Sequence, residues 1–363
     1  MKLNTGLKII DWYIIKKFLG TYLFTILLII AITIVLDYNQ KMEKFMQRDA
    51  PFDAIVFDYY MNFIPYFVNL FSPLFTFIAV IFFTSKLADN SEIIAILSSG
   101  VNFNRLMIPY MISALFIAVL TFSLNSYIIP KGNIKRYEFE DKYYKDRRID
   151  YAANIQLEVD PNVVLYLDRY NNNDGIGTRI SLDKFEGKTL KSRLTAQTIK
   201  YDSLNHWTIN NYMIRNFTRL KEEVITGDKI DTILNIIPSD FLISEIDNEQ
   251  MTTPQLSKYI ERQKKRGIGN IQPFEIEFHK RFSMAFASFI LTVIGASLSS
   301  RKIKGGMGLN IGIGLLLSFS YILFMQISSS FAVSGLLSPF VAVWSPNFLY
   351  IFIAAYLYSR APR

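Results

Sequence analysis

The stretch IQLEVDPNVVLYL, residues 155–167, decides the architecture. Ile155, Leu157 and Val159 alternate with polar residues, Asp160-Pro161-Asn162 marks a turn, and Val163, Leu165 and Leu167 resume the alternation. Successive side chains on a strand point to opposite faces, so this period of two reads as a hairpin with one buried face. Similar segments follow at 178–182, 195–201, 207–217 and 230–236, with turn signals at 171–177 and 186–188. Strands this numerous and closely spaced favour a sandwich, a jelly roll or a curved sheet over a helical domain.

On either side the chain changes character. No charged residue interrupts 18–36, 59–85, 106–130 or 282–300, and the uncharged run 305–359 is about twice what one helix needs to cross a bilayer. These runs predict six spans, near 14–36, 55–84, 105–129, 278–299, 308–331 and 341–358. Pro65 and Pro73 predict kinks in the second. The predicted fold class is therefore a membrane α-helical protein of six transmembrane helices with an inserted periplasmic all-β, jelly-roll-like domain. Its parts are 1–132 (an interfacial helix at 7–17 and spans one to three), 133–272 (the β domain with flanking helices) and 273–363 (spans four to six). A charged helical stalk is expected at 133–150. Thr252-Thr253-Pro254 opens a helix over 255–265 that Gly267 closes.

Composition agrees. Hydrophobic residues make up 51% of the 363, and the mean hydropathy of +0.22 is that of an integral membrane protein. The net charge of +8 sits mainly at the ends of apolar runs, where Lys and Arg anchor helices, so it does not point to nucleic acid. The absence of cysteine excludes disulfides, thiolate ligands and a cysteine nucleophile. His206 and His279 are too far apart in sequence to read as a metal site. The basic N-terminus and 18–36 read as a retained span, since the apolar run is long and no small-x-small cleavage site follows. Both tails and the loop 301–304 are basic, the loop 85–105 carries Lys86 and Arg105, and 334–346 is uncharged, which places both termini in the cytoplasm and the β domain outside it. No G-x-x-x-x-G-K-[ST] occurs, and Gly305-Gly306-Met307-Gly308 lacks the Lys-Ser/Thr that would follow. The chain is thus expected to hold no cofactor and to be no enzyme, with any ATP dependence coming from a partner.

The loop between spans two and three reads as a short helix. Asn90 or Ser91 caps it, Glu92 suits its positive N-terminal end, and Gly100 ends it. Ile93, Ile94, Ile96 and Leu97 make one face apolar, while Ala95, Ser98 and Ser99 permit close approach. These residues suit an ordinary interfacial helix, or a coupling helix docked into a soluble ATPase. After span one, Lys41 and Lys44 share a helical face beside Asp37 and Glu43. They are anchors paired with those carboxylates, or ligands for the phosphates of an anionic lipid. Glu275, Glu277, His279, Lys280 and Arg281 flank span four; Lys280 or Arg281 is a second candidate cation. In the β domain, Val164, Tyr166, Ile180 and Leu182 form a packed core, or an acyl-chain groove if the layers splay. An exposed sheet edge would also accept a partner's strand.

Asp11-x-Tyr13, Ser91-Glu92-Ile93 with Ser98-Ser99-Gly100, and Ile129-Pro130-Lys131-Gly132, in this order along the chain, resemble the LptF/LptG permeases. The resemblance covers essentially the whole sequence. It implies an inner-membrane permease of an ABC transporter that extracts lipopolysaccharide. It also implies a second homologous permease in a heterodimer, a cytoplasmic ATPase dimer that binds ATP and Mg, and a periplasmic jelly-roll bridge protein that receives the lipid. Basic residues near Lys41 and Lys44 meet lipid A phosphates in that family. Two other classes also fit the plan. One is a different lipid- or lipoprotein-releasing ABC permease; the other is a membrane-anchored envelope-lipid enzyme using the 275–281 cluster.

Overall fold

The computed structural model describes residues 7–145, 151–171, 174–203, 205–218, 221–238, 245–265, 271–301 and 306–361. The turn signals around 172–173, the lower stalk at 146–150, the helix stop at Gly267 and most of the 301–304 loop lie outside these residues. The chain divides into a helical unit, 1–144 with 275–363, and a second unit, 145–274.

Six helices of the helical unit are long and apolar enough to cross a membrane. The first, α1 (Ile9–Gln47), is continuous. The sequence predicts an interfacial helix at 7–17 and a separate first span near 14–36 here, with a helical face carrying Lys41 and Lys44 beyond it. Charge does not break a helix, however, and no proline occurs between Ile9 and Gln47. At 1.5 Å per residue the helix is about 58 Å long.

Span two is segmented. Phe52–Ala54 (α2) leads into a π-helical turn at Ile55–Tyr60, then α3 (Met61–Leu70) and α4 (Ser72–Asp89). The break falls at Phe71, two residues before Pro73, which sits in the first turn of α4. A short α5 (Glu92–Ser98) joins α4 to α6 (Phe103–Ser123). A second π turn, Leu124–Ile128, carries α6 into α7 (Ile129–Tyr143), the upper part of the expected stalk.

α4 is the most buried span. Phe75, Ala79, Val80, Phe83 and Leu87 pack with Ile14 and Phe18 of α1 and with Leu106 and Tyr110 of α6. Phe77 and Ile81, on another face, join the core shared with the last three spans. Several of the polar groups inside are paired with one another, which lowers the cost of holding them in a bilayer. Thr84 and the Tyr110 hydroxyl lie 3.0 Å apart, as do Ser72 and Thr121.

The second unit begins with six strands, β1 (Tyr151–Asp160), β2 (Val163–Asn171), β3 (Ile176–Glu186), β4 (Thr189–Ser203), β5 (His206–Thr218) and β6 (Lys221–Ile233). They form one antiparallel sheet in chain order. The inserted β domain is as expected, but its topology among the described residues is a hairpin-connected meander. Tight turns such as that at Gly187, φ +63, pair each strand with its immediate successor. Two helices follow. α8 (Glu245–Gln250) was not anticipated; α9 (Thr253–Lys265) starts as expected, with the Thr252 amide and hydroxyl both donating to Gln255 Oε1.

The last three spans are α10 (Gln272–Ser299), α11 (Gly306–Val333) and α12 (Pro339–Ser359), close to their predicted bounds. Asn347 of α12 links all three. Its Nδ2 donates to the carbonyl and hydroxyl of Ser283 at 3.0 and 2.8 Å, and its Oδ1 accepts from the Tyr321 hydroxyl at 2.9 Å. Replacing Asn347 by Leu strands these groups without water. The expected loss is about 1–3 kcal/mol, seen as a lower unfolding midpoint in detergent; an unchanged midpoint would show that the network is not a structural tie.

Candidate functional site

The joint at α5 is built from three inward contacts. Ile93, 1% exposed, enters the same core cluster as Ile14, Phe18, Leu87 and Phe103, while Ile94 faces outward. Glu92 accepts hydrogen bonds from the Tyr13 hydroxyl at 2.9 Å and from Asn90 Nδ2 at 3.2 Å. Beyond the helix, Arg105 grips Asp11 through two bonds of 2.8 and 2.5 Å, with Asp11 almost fully buried. Asn104 Oδ1 accepts from the Tyr358 hydroxyl at 2.6 Å, which brings the end of α12 to the same end of the bundle.

Gly100 terminates α5 region at φ +88, as the sequence indicated. The cap differs. Ser91 occupies the N-cap position at φ +62, and its side chain makes no capping bond. The Ser98 and Ser99 hydroxyls donate to the carbonyls of Ala95 and Ile96. Those bonds finish the helix and leave an exposed surface of small side chains with Ile94 beside it.

At the opposite end of α1, Lys41 sits in a cage. It pairs with Asp37 at 2.7 Å, donates to the Tyr59 hydroxyl, and lies 4.6, 5.7 and 5.0 Å from the ring centres of Tyr59, Phe63 and Tyr144. Tyr59 and Tyr60 also donate to Asp37 Oδ2, at 3.0 and 3.2 Å. Lys41 is therefore neutralised and packed on aromatic faces. Lys44 is exposed, 4.6 Å from the Tyr144 ring centre. On α10, Arg281 is sealed at 1% exposure and bonded to Glu277 at 2.9 Å, and Lys280 is half-buried. Of the four candidate cations, Lys44 alone is classed as exposed. Sequence reading missed Arg136, buried over the rings of Tyr66 and Tyr137 at 4.1 and 4.6 Å and 3.6 Å from Glu140. The i,i+4 spacing of Arg136 and Glu140 was its only signal.

In the β domain the four proposed groove residues divide between faces. Leu165 pairs with Leu182 and Leu167 with Ile180, so Ile180 and Leu182 lie on the core face, while Val164 and Tyr166 lie on the other. The core face carries a row crossing all six strands, Leu157–Leu165–Leu182–Leu194–Ile214–Ile225, each paired with the next. It grades from sealed Leu157 and Leu165 to Ile225 at 43% exposure. A line of irregularity bounds this row: Arg179 and Asn211 adopt φ of +52 and +53. Beyond them the buried positions change parity to Gly177, Ile199 and Ile209, with Trp207 bonded through Nε1 to the Ile236 carbonyl. One half of the face is a closed core, and the other opens toward β6.

Two spans present the barest apolar surfaces. α1 and α11 are the least buried of the six, with Leu27 and Leu316 68% and 73% exposed. Both pack on α4, as part of a bundle whose outer helices still have faces to cover.

Six apolar helices with a β domain inserted between the third and fourth define a multi-pass membrane protein with one extramembrane domain. The model of the lipopolysaccharide export system permease LptF/LptG family matches residues 12–360, and the chain belongs to that family. It is similar to the lipopolysaccharide export system permease protein LptG of Escherichia coli strain K12, 19% identical over 360 residues covering 97% of this chain and 98% of that protein. LptG of Escherichia coli O6:H1 is similar to the same extent.

If Lys41 is a structural pin, Lys41→Ala strands Asp37 among tyrosines and costs about 1–3 kcal/mol, whereas Lys44→Ala stays within about 0.5 kcal/mol. Unfolding midpoints of the two variants in detergent check this; equal midpoints would contradict the cage.

Proposed function

We propose that this chain is one permease subunit of an ABC transporter that lifts lipopolysaccharide out of the inner membrane. The observation that carries the reading is the end-to-end family match over a chain that also has an exposed helical joint, α5, and an opening apolar face on its sheet. The basic tails and the basic loop 301–304 orient both termini to the cytoplasm and the β domain to the periplasm. A cytoplasmic ATPase dimer, which binds ATP and Mg, docks on α5. A second homologous permease covers the bare faces of α1 and α11. Closure of the ATPases pushes α5, tilts spans one and five of both subunits, and shrinks the cavity between them.

The lipid then moves toward the β domain. Lys44 is the best placed cation for a phosphate, with Lys280 second. The acyl chains follow the open half of the core face, Leu182, Leu194, Ile214 and Ile225, rather than Val164 and Tyr166. Strand β6 pairs with β5, and no other strand pairs with it among the described residues. A strand of a periplasmic bridge protein added there would extend the face.

Mild-detergent purification should bring down an ATPase, a second permease and lipopolysaccharide, and Glu92→Arg should lose the ATPase or its coupling. Full ATP-driven lipid release by Glu92→Arg would remove α5 as the joint. A photocrosslinking residue at Leu194 or Ile214 should capture lipopolysaccharide in an ATP-dependent manner, and one at Val164 should not. Capture at Val164 alone would place the path on the other face.

A further inference from the structure

α1 is held at its base on two sides. Asp11 and Tyr13 are two residues apart on a helix that turns 100° per residue, so they leave it in nearly opposite directions. Asp11 meets Arg105, in the first turn of α6, and Tyr13 meets Glu92, which begins α5. Ile93 fills the core between these contacts, in the cluster that contains Ile14 and Phe18. The start of α5 and the first turn of α6 thus grip the first turns of α1 from both flanks.

The two grips differ in strength. A carboxylate 3% exposed that accepts both arms of a guanidinium is a charge-assisted, bidentate contact, and it resists sliding. The Tyr13–Glu92 bond is exposed and ties α1 to the residue that opens α5. What happens above matters equally. The span continuing from α3 breaks at Phe71, and α6 passes through a π turn at Leu124–Ile128, whereas α1 runs unbroken from Ile9 to Gln47. Displacement applied at α5 reaches the far rim undivided only along α1, where Lys41 is pinned to Asp37 and Tyr59.

We propose that Asp11 and Tyr13 are positioning residues that clamp the base of α1 to the first turn of α6 and the start of α5, making α1 the lever that carries a movement of α5 to the Lys41 rim. The clamp rests on the reading of α5 as the ATPase joint. Because the chain has no cysteine, single labels can be placed at will. Ile9→Cys and Ile94→Cys, both at exposed positions, report the distance between the base of α1 and α5 when spin-labelled in the reconstituted full transporter. With Tyr13 and Asp11 intact, the distance distribution should stay narrow in nucleotide-free and ATP-trapped states. Tyr13→Phe should broaden it and lower lipopolysaccharide released per ATP hydrolysed at least two-fold. Asp11→Asn should act in the same direction and more strongly.

A Tyr13→Phe transporter with the parent's distance distribution overturns the clamp, whatever its release ratio. An unchanged ratio overturns the lever. If the parent transporter itself shows no ATP-driven release, the transport reading fails, and the distance measurement still decides whether the clamp exists.

Discussion

A bilayer offers no hydrogen-bond partner to an unpaired backbone amide, and the rest of this molecule follows from that constraint. Within the spans, helices satisfy their own backbones, and some side-chain polar groups are matched in small sets, Thr84–Tyr110 and Ser283–Tyr321–Asn347 among them. A sheet with free edges has no such option. Strands β1 and β6 each pair on one side only among the described residues, so the inserted domain belongs in water. The chain therefore separates into a helical unit that meets lipid and a β unit with an apolar core of its own.

The sequence was most legible where one period dominates. Uncharged runs located all six spans, and alternation located the inserted strands, because length and period are direct consequences of bilayer thickness and the pleat. It was least legible where a small backbone irregularity changes the outcome. Two π turns and the break at Phe71 leave no compositional mark beyond Pro73. A register shift between Lys184 and Phe185 sets Leu182 opposite Leu194, which counting outward from Gly187 alone would miss. The same kind of irregularity at Arg179 and Asn211 reverses which residues face inward. Val164 and Tyr166 alternate with Leu165 and Leu167 in an unshifted pairing with β3, so simple alternation already separates them from Ile180 and Leu182.

Charged residues posed a different difficulty. Their positions on helices were readable, but their partners come from distant segments: Asp11 with Arg105, Tyr13 with Glu92, Lys41 with Tyr59 and Tyr144. These contacts change the meaning of the residues. Lys41 becomes part of the scaffold and leaves Lys44 facing outward, while Glu92 is already engaged within the chain before any partner arrives. On the proposed reading, the α5 joint, α1 and the rim act as one continuous mechanical element, and the opening row on the sheet takes an apolar cargo.

The central claim is that ATP hydrolysis by a partner drives a lipid past this chain. Proteoliposomes containing the co-purified complex and labelled lipopolysaccharide test it directly, by following lipid extracted into a soluble periplasmic acceptor. The account predicts extraction that starts on ATP addition and stops when hydrolysis is blocked. Extraction that proceeds without ATP, or chemical modification of the lipid by the isolated chain, would contradict it.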